Sequence, residues 1–190
     1  MVIISLIFHW IFLIFWLLVL IGATFYLLSG FIATIQASGV PYVPSYNEDL
    51  ARMKEKLSLD LTGKTMIDLG CGDGKALRFF VKNFGIKSGV GYDFNLWAIL
   101  YGKILNKFLK TNSIELHKGN FLKVDISKYD YIYVYLLSEY LEKIEDFVFS
   151  NMRDDAIVIS NTFKFKNHTP YEVTKSDKGR DRILLYKKES

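Results

Sequence analysis

The chain has 190 residues, of which 51% are apolar and 16% aromatic, and this composition excludes an intrinsically disordered protein. Its single cysteine, Cys71, excludes an internal disulfide and a cysteine-cluster metal site, and its three histidines lack the spacing of a zinc motif. The net charge of +4 is only mildly basic and is specific neither to a membrane surface nor to nucleic acid; we expect no metal and no nucleic-acid partner.

The N-terminal segment Val2–Leu28 is apolar along its whole length, and no Asp, Glu, Lys or Arg occurs before Glu48. It exceeds the ~20 residues that a helix needs to cross a bilayer, so we predict one uncleaved transmembrane anchor in contact with membrane lipid. The alternatives are a buried core helix and a cleaved signal peptide, but the segment lacks the basic start of a signal peptide and is too long for its apolar region. Because Arg52 and Lys54 follow the segment, the positive-inside rule predicts a single-pass protein whose folded domain is cytoplasmic.

A break in the helical pattern follows this segment, where Pro41 and Pro44 favour extended backbone. We therefore divide the chain into a transmembrane anchor over residues 1–36, a linker over 37–47 and a folded domain over 48–190.

Strand and helix signals alternate along the folded domain. The predicted strands cover residues 64–69, 88–93, 113–117, 129–136 and 156–160, and the predicted helices cover 48–57, 75–84, 96–109 and 138–149. Residues 171–175 and 182–187 flank a turn signal at 176–179, which predicts a C-terminal hairpin. This order predicts an α/β, Rossmann-like sheet of seven strands that is mostly parallel and contains one antiparallel strand.

A glycine-rich turn, Asp68-Leu69-Gly70-Cys71-Gly72-Asp73-Gly74, follows the first predicted strand, where ligands bind in such sheets. Its glycines allow the backbone to approach a ligand closely. A dinucleotide fingerprint would place a further glycine at the position of Lys75, and the carboxylate of Asp68 would repel a phosphate. An acid here suits a ligand with an ammonium and a sulfonium group, which describes S-adenosylmethionine.

A second acid, Asp93, ends the second predicted strand, about twenty residues after the turn, where a carboxylate can accept both hydroxyls of a ribose. After the third strand, Asn120 and Phe121 have two interpretations. They either contact the adenine, by a hydrogen bond and by ring packing, or they form an ordinary turn with a core aromatic. Cys71 is interpreted as a packing residue, because methyl transfer from a sulfonium needs no covalent enzyme intermediate.

These motifs resemble the class I, seven-strand methyltransferases, and more closely the membrane-anchored protein-lysine methyltransferases of the adenine nucleotide translocase and ATP synthase c-ring type, with their prokaryotic relatives. The resemblance rests on the apolar N-terminal helix and on four motifs in order, Pro41–Ser45, Asp68–Gly74, Gly91–Trp97 and Gly119–Asp125. It covers nearly the whole chain.

The resemblance implies S-adenosyl-L-methionine as cofactor and a protein acceptor at or in the membrane. The cofactor-binding residues that we expect are Asp68, Gly70, Cys71, Gly72, Gly74, Asp93, Phe94, Asn95, Asn120 and Phe121. We expect Tyr135, Glu139 and Tyr42 to border the acceptor amine as catalytic residues.

The chain departs from the family pattern at several positions. Asp93 replaces a glutamate, which keeps the ribose chemistry, while Leu96 and Ser138 replace prolines, and Asn120 stands where an acid is common. After the fifth strand, Thr162-Phe163-Lys164-Phe165-Lys166 replaces an Arg-Phe-Pro-Phe-Pro stretch, and His168 lies near a tryptophan position. Because that loop is expected to border the acceptor, two alternatives stay open: a methyltransferase for a lipophilic acceptor such as a quinone or lipid, and a non-catalytic cofactor-binding module.

Overall fold

A computed structural model describes residues 2–36, 47–57, 59–175, 179 and 181–188. The five helices of these residues are α1 Val2–Gln36, α2 Asn47–Lys56, α3 Lys75–Phe84, α4 Leu96–Phe108 and α5 Ser138–Asn151. The seven strands are β1 Thr65–Leu69, β2 Ser88–Asp93, β3 Ile114–Lys118, β4 Tyr131–Val134, β5 Ile157–Asn161, β6 Glu172–Lys175 and β7 Asp181–Lys187. Two short 3₁₀ helices, Phe121–Lys123 and Ile126–Lys128, lie between β3 and β4.

The strands form one sheet in the order β3-β2-β1-β4-β5-β7-β6. β1 to β5 pair in parallel, and β7 is antiparallel to both of its neighbours. The predicted seven-strand sheet with one antiparallel strand is therefore confirmed. The chain moves outward from β1 to β3 and then returns to the other side of β1, so the strand order reverses between β1 and β4. Ligands bind at such a reversal, outside the carboxyl ends of the strands.

The sheet separates two apolar layers, because successive residues of a strand point to opposite faces. On one face Met66 of β1 packs with Met53 of α2, Phe80 of α3 and Ile99 of α4. On the other face Ile67, also of β1, packs with residues of α5, namely Leu141, Ile144 and Val148. Both faces of the central strands are thus covered, as a parallel sheet requires.

Helix α1 differs from the other helices because it is exposed on every side from Ile3 to Leu28. This stretch is long and apolar enough to cross a membrane by length and composition. The helix contacts the folded domain at α4. It is not the buried core helix that was one alternative for this segment, since none of its apolar stretch is covered by the domain.

The structure shortens one predicted strand. The β-favouring run at residues 129–136 forms a strand only over Tyr131–Val134. Tyr129 belongs to the turn that ends the second 3₁₀ helix, because its amide donates to the carbonyl of Ile126. Tyr135 lies past the strand end, at the edge where the site is expected. The segment Pro41–Ser45, with Tyr42, and residues 176–178 of the predicted hairpin turn lie outside the described residues.

Candidate active site

The glycine turn joins the carboxyl ends of two neighbouring strands. The amides of Gly70 and Cys71 both donate to the carbonyl of Tyr92 in β2, at 2.9 and 3.0 Å. Gly70, Gly72 and Gly74 have φ angles of 87°, 54° and 76°. These left-handed conformations favour glycine. The turn after β1 therefore lies against the end of β2, as the sequence predicted.

The turn is also packed too closely for side chains. A Cβ at Gly70 would lie 2.9 Å from a methyl of Leu136, and a Cβ at Gly74 would lie 2.8 Å from a methyl of Leu116. From the opposite side, Gly102 of α4 approaches so closely that a Cβ would lie 2.2 Å from the carbonyl oxygen of Asp73. Gly102 was not recognised from the sequence; a glycine inside a helical pattern was its only signal. The shape of the turn thus depends on α4 as well as on its own glycines.

Asp93 holds the turn to the start of α4. One carboxylate oxygen accepts from the amide of Gly72 at 2.8 Å, and the other accepts from the amide of Asn95 at 2.7 Å. Burial raises the pKa of Asp93, and the hydrogen bonds from Asn95 and Gly72 act against that rise. A carboxylate oxygen has more than one acceptor site, so both oxygens of Asp93 keep capacity for ribose hydroxyls.

Asp68 is the more deeply buried of the two acids, with 2% of the residue exposed. Burial raises the pKa of Asp68 well above its ordinary value, and repulsion from Asp93 and Asp73 adds to the rise. Acids gathered at one strand edge favour a positively charged ligand, because a cation relieves both the burial and the repulsion. The residues present therefore fit S-adenosylmethionine, whose ammonium and sulfonium groups are cationic and whose ribose can bind Asp93.

Cys71 is buried within the turn. Burial raises the pKa of its thiol well above the ordinary value, and the charges of Asp68 and Asp93 raise it further. A thiol in such surroundings stays protonated and is a poor nucleophile. This agrees with the interpretation of Cys71 as a packing residue beside the cofactor.

The asparagines near the site act as helix caps in the structure. The side-chain oxygen of Asn95 accepts from the amides of Trp97 and Ala98, both at 3.1 Å, and begins α4. The side-chain oxygen of Asn120 accepts from the amide of Leu122 at 2.9 Å. Contact of these residues with the cofactor stays a prediction, as it does for the half-buried Phe94.

Phe121 is 3% exposed and belongs to the core on the α5 face of the sheet. Its ring makes an edge contact with the ring of Tyr140, with centroids 6.2 Å apart. The structure therefore corresponds to the second interpretation of this segment, a turn with a core aromatic, and leaves the ring of Phe121 little surface for packing on adenine.

Of the predicted catalytic residues, the structure places two at the carboxyl edge. Tyr135 directly follows β4 and is half-buried, while Glu139 is exposed in the first turn of α5. The ring of Tyr135 lies nearly parallel to that of Phe163, with centroids 6.2 Å apart and planes at 25°. The third residue, Tyr42, lies outside the described residues.

The loop after β5 contributes Phe163 through an unusual turn. Thr162 has a φ of 73°, a left-handed conformation that is rare for a β-branched residue. The hydroxyl of Ser160 donates to the carbonyl of Phe163 at 2.6 Å, and the amide of Phe163 donates to the carbonyl of Asn161 at 2.9 Å. This tight turn brings Phe163 beside Tyr135. The sequence offered no signal for it, because no glycine or asparagine stands at residue 162.

Farther along, Glu145 of α5 holds the same loop and was not predicted from the sequence. Its carboxylate, 1% exposed, accepts from the amide of Asn167 at 2.7 Å and lies 2.8 Å from Nδ1 of His168. The His168 ring stacks on Phe149 with centroids 3.5 Å apart. Burial raises the pKa of Glu145, but the hydrogen bonds from His168 and the loop amides outweigh burial and lower it. The loop that borders the site is therefore fixed to α5.

Comparison with known proteins gives a consistent family. The profile of the ANTKMT methyltransferase domain matches residues 68–172, which contain the glycine turn, Asp93 and most of the loop after β5. A protein-lysine N-methyltransferase of Saccharolobus islandicus is 31% identical over 150 residues, covering 77% of this chain and 91% of that protein. The human lysine N-methyltransferase of the ATP synthase c-ring protein is 25% identical over 77% of this chain. The mouse adenine nucleotide translocase lysine N-methyltransferase is 27% identical over the same share.

The chain spans about three fifths of these two mammalian relatives, 61% and 62% of their lengths. Among solved structures, an RNA methyltransferase from Salinibacter ruber in complex with S-adenosyl-L-homocysteine superposes with a TM-score of 0.67. It is 21% identical and matches 77% of this chain and 94% of its own, which shows a shared fold. The motifs of the turn, the sheet order and the profile match agree: the chain belongs to the ANTKMT methyltransferase domain family and is an S-adenosylmethionine-dependent methyltransferase.

Proposed function

We propose that this protein is a membrane-anchored protein-lysine N-methyltransferase. The observation that carries the lysine assignment is the extended match to a protein-lysine N-methyltransferase over 91% of that relative's length. Two further relatives act, by name, on lysines of membrane proteins. The anchor is supported by helix α1, which is exposed and apolar from Ile3 to Leu28, and the orientation with a cytoplasmic domain by the basic residues after it.

The residues of the chain then have the following roles. S-adenosylmethionine supplies, when bound, a methyl group on a sulfonium that an amine nitrogen can attack. Asp68 binds the cationic end and Asp93 the ribose, and the glycine turn provides close backbone contact. Together they hold the methyl group at the strand edge, and orientation of this kind is a main source of rate in such a reaction.

The acceptor amine approaches from the side of Tyr135 and Phe163. A lysine ammonium has a pKa of about 10.4 in water and must lose its proton before it attacks. The two aromatic rings provide apolar surroundings, which lower the pKa of an amine by desolvation. Glu139, exposed in the first turn of α5, attracts the incoming ammonium, and its carboxylate is placed to accept the proton directly or through water.

The experiment is incubation of the purified protein with methyl-labelled S-adenosylmethionine and membranes of its own organism. Label in a membrane protein, recovered as methyllysine after hydrolysis, supports the proposal. The Asp93→Ala variant is the matched control and should give far less label at the same cofactor concentration. Label in extractable lipid would identify the lipophilic-acceptor alternative, and cofactor binding without any label transfer would identify a non-catalytic module; either result contradicts the proposal.

A further inference from the structure

Helix α4 exposes an apolar stripe where a surface helix normally carries polar residues. Its side chains repeat at helical spacing, and their exposure reaches 54% for Ile104, 57% for Tyr101 and 80% for Phe108. We call this the apolar face of α4, and it consists of Trp97, Leu100, Tyr101, Ile104 and Phe108. The opposite side of the helix is covered by the domain. The apolar face therefore points away from the protein, which is the reverse of the pattern of a soluble amphipathic helix.

The charges beside this face have one sign. Lys103, Lys107 and Lys110 are exposed along one flank of the stripe. No Asp or Glu occurs between Asp93 and Glu115. Exposed aromatic and aliphatic side chains flanked by lysines are typical of helices that lie in the interface of a membrane, where the lysines meet anionic headgroups.

The position of α1 identifies the occupant. α1 carries the stretch proposed to span the membrane, and it contacts the domain at α4. The apolar face therefore lies beside the helix that is exposed and apolar on all sides, so the two form one continuous apolar surface. A soluble partner would have to cover α4 without displacing the lipid around α1, whereas the membrane surface covers both.

We propose that the apolar face of α4 lies in the headgroup region of an anionic bilayer, and so orients the domain on the membrane; this inference rests on the membrane anchoring proposed above. α4 begins immediately after the cofactor-binding edge, with Leu96 three residues from Asp93 and Asn95 as its cap. With α4 on the bilayer, the methyl group is held near headgroup level. The acceptors that fit are lysines of membrane proteins at the ends of helices or in short loops.

The test places an environment-sensitive nitrobenzoxadiazole label on the full-length protein in vesicles of phosphatidylcholine and phosphatidylglycerol. Ile104→Cys and Phe108→Cys carry the label on the apolar face. Asp146→Cys is the matched control, because Asp146 is exposed on α5, on the opposite face of the sheet. The unsubstituted protein, whose Cys71 is buried, gives the labelling background.

We expect blue-shifted emission at 104 and 108 and quenching by headgroup-proximal spin-labelled lipids several-fold stronger than at 146. Substitution of Lys103, Lys107 and Lys110 by Gln should weaken that quenching in anionic vesicles. Protein that floats with the vesicles while 104 and 108 are as water-exposed as 146 would overturn the inference and leave the anchor intact. Shielding without lipid quenching, rising with protein-to-lipid ratio, would overturn it in favour of a second copy. Protein that fails to float with the vesicles would overturn the anchor, and this inference with it.

Discussion

Asp93 connects the cofactor to the fold through atoms that already bind the protein. Its two oxygens accept from the amides of Gly72 and Asn95, so the carboxylate joins the glycine turn to the start of α4. A residue that only contacted the ribose would be removable without harm to the empty protein. Here the same side chain shapes the turn, and its removal affects both properties.

Replacement of Asp93 by Ala should weaken cofactor binding by roughly 10- to 100-fold, since each charged hydrogen bond lost costs about 1.5–3 kcal/mol. It should also lower the melting temperature, because two amides lose their acceptor. Asp93→Asn keeps one acceptor oxygen and should restore part of the stability but less of the affinity. Calorimetric titration with S-adenosylhomocysteine, beside thermal melts, measures both. Unchanged affinity in folded Asp93→Ala would contradict the ribose role.

Asp68 predicts how binding depends on pH. Its pKa is raised in the fold, chiefly by burial, so its contribution to the stability of the cofactor-free protein is present at low pH and is lost as pH rises through the raised pKa. A cationic ligand removes that cost. Affinity for S-adenosylhomocysteine, which keeps the ammonium, should therefore increase with pH over this window, with release of protons on binding.

Titrations in buffers of different ionisation enthalpy detect those protons. Asp68→Asn should bind more weakly and show a smaller pH dependence, with the remainder due to Asp93, whose pKa is also raised. Equal pH dependence in both proteins would show that Asp68 does not face the ligand's charge.

At the scale of elements, the loop after β5 owes its position to α5. Glu145 accepts from loop amides, and His168 is held between that carboxylate and the ring of Phe149. The same loop carries Phe163 to Tyr135. The acceptor side of the site therefore depends on contacts that lie away from the cofactor.

Glu145→Gln should raise KM for the acceptor and leave cofactor affinity unchanged, because the loop loses a charged partner while the glycine turn stays intact. Stability should fall by about 1–3 kcal/mol. Since the pKa of Glu145 is lowered in the fold, this stabilisation is present at neutral pH in the wild type and is lost as pH falls through the lowered pKa.

Glu142→Gln is the matched control on the same helix. Glu142 pairs with Lys166 at 3.2 Å, but both side chains are exposed, and such pairs contribute about 0–1 kcal/mol. Equal effects of the two substitutions on acceptor KM would refute the positioning role of Glu145.

The sequence predicted the elements of the sheet more fully than the loops of the site. Alternation of strand and helix signals, and glycines at three required positive φ angles, identified β1, the turn and the cofactor edge. Contacts between distant residues left no such pattern: Glu145 and His168 are 23 positions apart, and Thr162 adopts a left-handed conformation without a glycine. Phe121 was ambiguous for a related reason, since an aromatic after a strand suits both a core and a ligand.

At the scale of the whole molecule, the proposed anchor and the domain act together on the acceptor. A helix that keeps the enzyme at the membrane raises the effective concentration of membrane acceptors, provided that the geometry allows contact. The linker over residues 37–47 limits the reach, because an extended chain covers at most ~3.6 Å per residue. The enzyme should therefore favour lysines close to the membrane surface over lysines of soluble proteins.

A chain that begins at residue 37 tests this preference. The domain does not bury the apolar stretch of α1, so the shortened protein should stay folded, as circular dichroism can check, and should bind S-adenosylhomocysteine with unchanged affinity. On a soluble peptide that carries the acceptor lysine, the two proteins should react at equal rates. On the same lysine in a membrane protein within intact vesicles, the shortened chain should be at least several-fold slower at matched concentration. Equal rates on both acceptors would mean that the anchor has no part in acceptor choice.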